Sequence, residues 1–158
     1  MDEATGEIVA AATTTNDFSD GQLLPDLLNQ IDEPVAQVSG DGAYDTHACY
    51  AAIDARKAHA AIPPRRGARI CQHGNSHEPQ HSRDETLRCI RRVGRAAWKR
   101  ASGYHRRSLA ETTMFRIKTM FGDRVRARTF AGQSTELLIR CSALNHMTYL
   151  GMPESCST

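Results

Sequence analysis

Short apolar runs rich in β-branched residues alternate with segments of helical periodicity in the first 62 residues. The three runs cover residues 6–15, 35–39 and 60–62. Leucines recur at helical spacing over residues 23–31, and Asp45 or Thr46 can cap a second helix that runs to Lys57. Strands that alternate with helices in this order predict an α/β fold with some parallel strand pairing.

Prolines and glycines mark the ends of these predicted elements. Pro25 is expected in the first turn of the first helix, where its missing N–H is harmless. Pro34 ends that helix, and Gly40-Asp41-Gly42 provides a sharp exit from the second strand. Residues 65–82 contain few apolar groups and are interpreted as a loop or an insertion.

The remainder of the chain is predicted to be helical. One helix begins near Ser82, carries Trp98 on its apolar side and is interrupted at Ser102-Gly103. A second helix runs from Tyr104 to Phe121 and stops at Gly122, which favours the left-handed conformation of a helix end. A third spans 133–150 with Leu137, Cys141 and Leu144 on its buried side. Residues 1–150 are therefore taken as one domain, and 151–158 as a frayed tail.

The charged residues are distributed unevenly along the chain. Residues 1–60 hold 11 acidic and 2 basic side chains, whereas residues 61–158 hold 7 acidic and 18 basic ones. Most of the basic residues are arginines, whose planar guanidinium pairs well with phosphate oxygens. This basic half predicts a polyanionic partner such as DNA. The alternative is an ordinary solvated surface.

Four polar residues in the second half share one predicted helix face. Tyr104, Arg107, Glu111 and Lys118 fall within about 60° of one another around an ideal helix. One reading is a carboxylate that holds a metal ion beside a phosphate bound by the two cations. The other is a solvated face with an Arg107–Glu111 pair four residues apart.

The pattern Tyr-x2-Arg-x3-Glu-x6-Lys at these positions resembles the signature of insertion-sequence DDE transposases. Gly40-Asp41-Gly42-Ala43-Tyr44-Asp45 is similar to the motif that carries the second catalytic aspartate of that family, which assigns Asp41. The opening DEATGEIVAAATTTN looks like the strand region that follows the family's first aspartate. The resemblance thus extends through nearly the whole chain.

The resemblance implies an incomplete RNase H-like fold, with a short mixed sheet, flanking helices and a helical C-terminal part. It implies that Asp41 and Glu111 are catalytic metal ligands, with Mg²⁺ or Mn²⁺ as the cofactor, in DNA strand cleavage and strand transfer. Two ions about 4 Å apart would stabilise the entering and the leaving oxygen. The implied partners are the element ends and target DNA, with a possible oligomer assembled on DNA.

The first aspartate of the family triad has no clear counterpart. Asp2 is the nearest candidate besides Glu3, but it precedes the wrong strand. The sequence therefore predicts a truncated copy that is catalytically impaired in isolation. The alternative function is a non-catalytic DNA-binding remnant that competes with an intact transposase.

Further basic residues are assigned to DNA contacts. Arg91 and Arg95 lie on or beside one predicted helix with Arg88, Arg92, Lys99 and Arg100, and Arg106 extends the basic rim. Arg65, Arg66 and Arg69 are interpreted as a second, flexible basic arm. The alternative for the helix is an exposed face. Cys71, His73, His77 and His81 suggest zinc, but their spacing favours a polar loop.

The five cysteines are odd in number and irregularly spaced, which argues against a disulfide framework. The chain contains no run of about 18 apolar residues, so no membrane-spanning helix is predicted. The acidic start, Met1-Asp2-Glu3, is unlike a signal peptide. These features predict a cytoplasmic, nucleoid-associated protein.

Overall fold

The structure, a computed structural model, describes residues 1–15, 17–72 and 80–151. The chain divides into two compact units. The sheet unit is Thr14–Arg107, and the helical unit combines Met1–Thr13 with Ser108–Thr158.

The sheet unit is built on one βαβ arrangement. Strands β1 (Gln37–Ser39) and β2 (His59–Ala61) pair in parallel, with Gln37 opposite His59. Helix α2 (His47–Ala55) connects them, and helix α1 (Asp20–Asn29) packs against α2. The predicted α/β class and the parallel pairing are confirmed.

The predicted strand over residues 6–15 is wrong, because those residues form no regular strand. The backbone N–H of Ile8 donates to Oδ1 of Asn145 at 2.8 Å, and Nδ2 of Asn145 donates to the Ile8 carbonyl at 3.0 Å. The side-chain amide of Asn145 thus satisfies the backbone groups that a neighbouring strand would otherwise bond. The sheet of the described residues is accordingly two-stranded and parallel rather than mixed.

Pro25 lies inside α1 as its sixth residue, not in its first turn as predicted. A proline at this place removes the N–H that would bond the carbonyl four residues earlier. That carbonyl belongs to Gly21, and it accepts the Cys49 thiol at 3.2 Å instead. The helix tolerates Pro25 because α2 supplies the replacement donor.

The core of the sheet unit lies between α1, α2 and the two strands. Its buried members are Leu24, Leu28, Cys49, Tyr50, Ile53, Ala58, Ala60 and Ile62. Tyr50 is fully buried, and its hydroxyl donates to the Ile62 carbonyl at 3.2 Å. Burial raises the pKa of Tyr50 to about 12.

The raised pKa predicts that the sheet unit loses stability in strong alkali. Below pH 10 the Tyr50 hydroxyl is protonated in both states, whereas between pH 10 and about 12 only the unfolded chain loses the proton. The loss is expected to reach about 2–3 kcal/mol near pH 12. Denaturant unfolding at pH 9 to 12 measures it, and Tyr50→Phe is expected to flatten the slope. An identical slope in both proteins would contradict the assignment.

The helix predicted from Ser82 ends earlier than expected. Helix α3 (Ser82–Val93) stops at Gly94, and helix α4 (Arg95–Ala101) begins directly after it. Gly94 has φ +85°, a conformation that glycine adopts without strain. The predicted helix is therefore interrupted at Gly94, before it reaches Ser102-Gly103. The predicted interruption at Ser102-Gly103 is confirmed as the end of α4, and Trp98 is buried as predicted.

The helical unit contains helices α5 (Ser108–Phe121) and α6 (Phe130–Leu150). Gly122, with φ +83°, ends α5 as predicted, and α6, which Thr129 caps, begins three residues before the predicted start. Leu144 is buried as predicted. Among the described helices, none has the length and the apolar composition to cross a membrane.

The connector between α5 and α6 is held by Arg140, which is buried on α6. Its guanidinium donates to the carbonyls of Gly122 and Arg124 at 3.1 and 2.7 Å and pairs with Glu136 at 2.6 Å. Glu136 also accepts the backbone N–H of Arg126 at 2.8 Å. The backbone of this basic connector is therefore fixed by Arg140 and Glu136, and these bonds do not use the connector's own side chains.

Candidate active site

Asp41 lies one residue beyond the hydrogen-bonded end of β1. The Gly40 N–H donates to the Ala61 carbonyl at 3.4 Å and extends the parallel ladder to that point. A Cβ on Gly40 would lie 2.8 Å from Cδ2 of Tyr44, so only glycine lets this ring pack against the turn. The exit predicted at Gly40-Asp41-Gly42 is therefore present.

The Asp41 carboxylate begins a short 3-10 helix, Gly42–Tyr44. Its Oδ1 accepts the Ala43 N–H at 2.8 Å, while the Asp41 carbonyl accepts the Tyr44 N–H at 3.2 Å. The residue is exposed. Among the described residues, no hydrogen bond is donated to Oδ2.

Arg65 holds the same 3-10 helix from outside. Its Nε donates to the Gly42 carbonyl at 2.8 Å, and its Nη2 donates to the Ala43 carbonyl at 2.7 Å. Arg65 is interpreted from the sequence as part of a flexible DNA-binding arm. The predicted flexibility is wrong for this residue, because its side chain is held by these two hydrogen bonds. The Pro63-Pro64 pair just before it is buried and was the available signal that the segment is ordered.

Asp45 and Arg83 form a buried ion pair, and Asp45 directly follows the 3-10 helix that Asp41 begins. Nε of Arg83 donates to Oδ1 of Asp45 at 2.7 Å, and Nη2 donates to Oδ2 at 3.2 Å. Oδ2 also accepts the backbone N–H of Arg65 at 2.8 Å. The hydrogen bonds that the guanidinium donates to Asp45 raise the pKa of Arg83. Both charges are thereby compensated inside the unit.

Of the two predicted N-cap candidates for α2, Thr46 is confirmed and Asp45 is wrong. The Thr46 Oγ1 accepts the Cys49 N–H at 3.2 Å. Sequence reasoning allowed either residue, and the choice depended on Arg83, which lies 38 positions away.

Asp84, next to Arg83, is a fully buried carboxylate. Its Oδ2 accepts the backbone N–H groups of Cys71 and Gln72 at 2.9 and 2.7 Å. Its Oδ1 has no hydrogen-bond partner among the described residues, but the Nη1 of Arg83 lies 3.8 Å away. Sequence reasoning missed this residue, because a first-turn aspartate is usually an exposed partner of the helix dipole.

The first turn of the helix predicted from Tyr104 to Phe121 is different from expected. Tyr104–Arg107 is a 3-10 helix in the sheet unit, and α5 begins at Ser108 in the helical unit. A 3-10 helix advances its residues by a larger angle than an α-helix. The prediction of one continuous α-helix from Tyr104 is therefore wrong, because the α-helix begins at Ser108.

Tyr104 is a packing residue of the sheet unit. Its ring is buried, and its centroid lies 6.4 Å from that of Trp98. The Nζ of Lys99 lies 4.7 Å from the Tyr104 ring centroid, and the Cζ of Arg107 lies 5.3 Å from it. Two cations are thus held over one aromatic ring, which is an attractive arrangement.

Glu111 and Lys118 lie on α5 and are both exposed. Their spacing of seven residues places them on the same side of the helix. The opposite side carries Thr113 and Ile117, which are buried. The carboxylate in the first turn and the ammonium in the last also match the direction of the helix dipole.

The basic residues of α3 and α4 fall into two groups. Arg88 donates to the Gln72 carbonyl and pairs with Glu85, and Arg95 donates to the Pro64 carbonyl at 2.7 Å. These arginines hold loops of the sheet unit. Arg91, Arg92 and Arg100 of these helices are exposed, and so is Arg106 on the 3-10 helix that follows.

The suggested zinc cluster is only partly described, because His73 and His77 lie outside the described residues. Cys71 Sγ lies 3.6 Å from Nε2 of His47, whose Nδ1 lies 3.3 Å from Nε2 of His81. His47 therefore uses both ring nitrogens for neighbours. Across residues 1–15, 17–72 and 80–151, no three His, Cys, Asp or Glu side chains form a group able to hold a metal.

Residues 1–146 match the family model of the transposase DDE domain. The chain belongs to this family. No solved structure matches it. Transposition is therefore the process in which the chain's family acts, and DNA is the partner that the family implies.

The DDE domain family normally uses a divalent metal ion, and the donors present can be compared with that need. Asp41 fits, since hard cations take carboxylate oxygens and this residue is exposed. Asp2 does not fit, because its Oδ2 accepts both the hydroxyl and the N–H of Thr5 while Oδ1 accepts the N–H of Ala4. The hydrogen bond from the Thr5 hydroxyl is the main cause of the lowered pKa of Asp2.

Proposed function

We propose that this domain acts in transposition by metal-dependent cleavage and transfer of DNA strands, with Asp41 and Glu111 as two of its metal ligands. Membership of the transposase DDE domain family over residues 1–146 carries this proposal. The Tyr-x2-Arg-x3-Glu-x6-Lys pattern and the Gly40-Asp41-Gly42 exit assign the two carboxylates.

The surroundings of Asp41 support its proposed role. The carboxylate belongs to an exposed residue that follows a strand of a parallel pair, and one of its oxygens is held by the Ala43 N–H. A bound Mg²⁺ or Mn²⁺ would activate the attacking water and stabilise the charge that develops on the phosphate. Asp41 and Glu111 would hold it, and the residues around Asp41 limit the motion of that ligand.

The proposed DNA contacts differ in what their side chains can do. Arg91 and Arg106 are exposed and can meet phosphate oxygens directly. Lys118 is exposed on the same side of α5 as Glu111, where it can bind a phosphate next to that carboxylate. Contacts of this kind give affinity and depend strongly on salt concentration.

The remaining proposed DNA contacts involve side chains that also contact other groups of the protein, namely Arg107, Arg95 and Tyr104. The Arg107 guanidinium is placed by the Tyr104 ring, so Tyr104 contributes to DNA binding by orienting a cation. Arg95 already donates to the Pro64 carbonyl and would add a second hydrogen bond from another N–H of its guanidinium.

The alternative function is a DNA-binding protein without cleavage. The structure of Asp2 favours this candidate, because its carboxylate is used by its own turn and is not a free third ligand. Two carboxylates hold a hydrated Mg²⁺ weakly, since most of its coordination shell remains water. Slow cleavage at millimolar metal is therefore the result expected of the catalytic proposal.

The test is nicking of an end-labelled duplex that carries the element's terminal sequence. The purified chain is incubated with Mg²⁺ or Mn²⁺ at about 1–10 mM, because two carboxylates are expected to bind the ion only at roughly millimolar concentration. A parallel reaction contains EDTA. Slow nicking with metal and none with EDTA supports cleavage. A folded chain that shifts the duplex in a gel but leaves it intact in both metals supports the DNA-binding alternative.

A further inference from the structure

We propose that Arg65 is a positioning residue that holds Asp41 in place for metal binding. This inference rests on the proposed function, because it assigns Arg65 to the same reaction. It concerns a residue that the family motifs in this chain do not include.

Arg65 bonds the backbone of the turn that carries Asp41. The side chain reaches the carbonyls of Gly42 and Ala43, the two residues that directly follow Asp41. Ala43 is also the residue whose N–H binds Oδ1 of Asp41 at 2.8 Å. The guanidinium therefore fixes the peptide units on which the orientation of the Asp41 carboxylate depends.

Arg65 is itself attached to the core of the sheet unit. Its backbone N–H donates to Oδ2 of Asp45, which is buried and paired with Arg83. The preceding residues, Pro63 and Pro64, are buried, and prolines restrict the backbone to few conformations. The base of the Arg65 side chain is thus fixed from both sides.

The hydrogen bonds of Arg65 distinguish it from a mobile cation that binds DNA. A guanidinium has five N–H donors, and here Nε and Nη2 are committed to backbone carbonyls at 2.8 and 2.7 Å. The neighbouring Arg66 is exposed and makes no such bond among the described residues. Arg66 therefore carries the same charge in almost the same place without the hydrogen bonds to the turn.

The experiment compares Arg65→Ala, Arg65→Lys and Arg66→Ala in the full chain. Hydrogen exchange of the Ala43 and Tyr44 amides, followed by NMR, reports the order of the turn without metal or DNA. Titration of Mn²⁺ in the nicking assay reports the concentration for half-maximal rate. Arg65→Ala is expected to raise both the exchange rates and that concentration about three- to tenfold, since hydrogen bonds from a charged donor are lost.

The controls separate positioning from charge. Arg65→Lys is expected to restore part of the effect, because a single ammonium can reach one of the two carbonyls. Arg66→Ala is expected to weaken DNA binding through the lost charge, with the amide exchange and the Mn²⁺ concentration unchanged. Equal effects of Arg65→Ala and Arg66→Ala on the Mn²⁺ concentration would show that charge alone acts and would overturn the proposal.

The outcomes also distinguish this inference from the proposed function. A chain that nicks DNA, with normal amide exchange in Arg65→Ala, overturns the Arg65 assignment and leaves the proposed function standing. A wild-type chain that does not nick DNA in either metal overturns the proposed function, and the role of Arg65 in it falls as well.

Discussion

Replacing Glu111 by glutamine is expected to lower the rate of Mn²⁺-dependent nicking by about two to three orders of magnitude. A lost metal ligand removes several kcal/mol of stabilisation from the transition state, and each 1.36 kcal/mol corresponds to about a tenfold change in rate. Glutamine keeps the size and polarity of the side chain, so the change is confined to the charge. The measurement is the single-turnover rate on the labelled duplex with Glu111→Gln and wild type side by side.

A matched control for this prediction is Asp123→Asn. Asp123 is exposed in the same unit, and its replacement also removes one negative charge from the surface. Its nicking rate is expected to stay within about twofold of wild type, because surface charges more than a Debye length apart interact weakly. Glu111→Gln with a normal rate and a normal melting curve would remove Glu111 from the proposed site.

Asp45→Asn is expected to destabilise the sheet unit by about 3 kcal/mol. The substitution leaves the Arg83 guanidinium buried without its bidentate carboxylate partner, which lies 2.7 and 3.2 Å away in the wild type. The loss falls at the lower end of the usual range, because Oδ1 of Asp84 lies 3.8 Å from Arg83 and retains part of the compensation. Urea unfolding measures the change in the free energy of unfolding.

Glu85→Gln provides the exposed counterpart on the same helix. Glu85 pairs with Arg88 at 2.7 Å, but both side chains are partly open to solvent. Its replacement is expected to cost about 1 kcal/mol or less, as is usual for exposed pairs. Equal losses in Asp45→Asn and Glu85→Gln would contradict the structural role given to the buried pair. Amide exchange in Asp45→Asn is also expected to rise at Ala43 and Tyr44, because the anchor of Arg65 is lost.

Local patterns along the chain determined much of the fold. Leucine spacing predicted α1, the turn residues predicted the exit at Asp41, and Gly122 predicted the end of α5, all of which the structure confirms. These features depend on groups within a few residues of each other. The motifs likewise identified the family, which the match over residues 1–146 shows.

Features that depend on distant residues were decided only by the tertiary structure. The segment 6–15 has the composition of a strand, yet Asn145 satisfies the backbone of Ile8 from a helix 137 positions away. Pro25 is tolerated within α1 because Cys49 supplies a donor, and Asp45 turns from a plausible N-cap into a buried partner of Arg83. Periodicity and propensity describe neighbours in sequence and contain no information about such partners.

The same distinction applies to the candidate site. The assignment of Asp41 and Glu111 to the motif comes from the sequence alone, through the spacing of chemically specific residues, and stays a prediction. Only the folded chain decided how Asp41 is held, since the bonds from Arg65 to Gly42 and Ala43 cross more than 20 positions. The physical reason is that a hydrogen bond requires a donor and an acceptor within about 3 Å, a condition that packing creates and sequence order does not reveal.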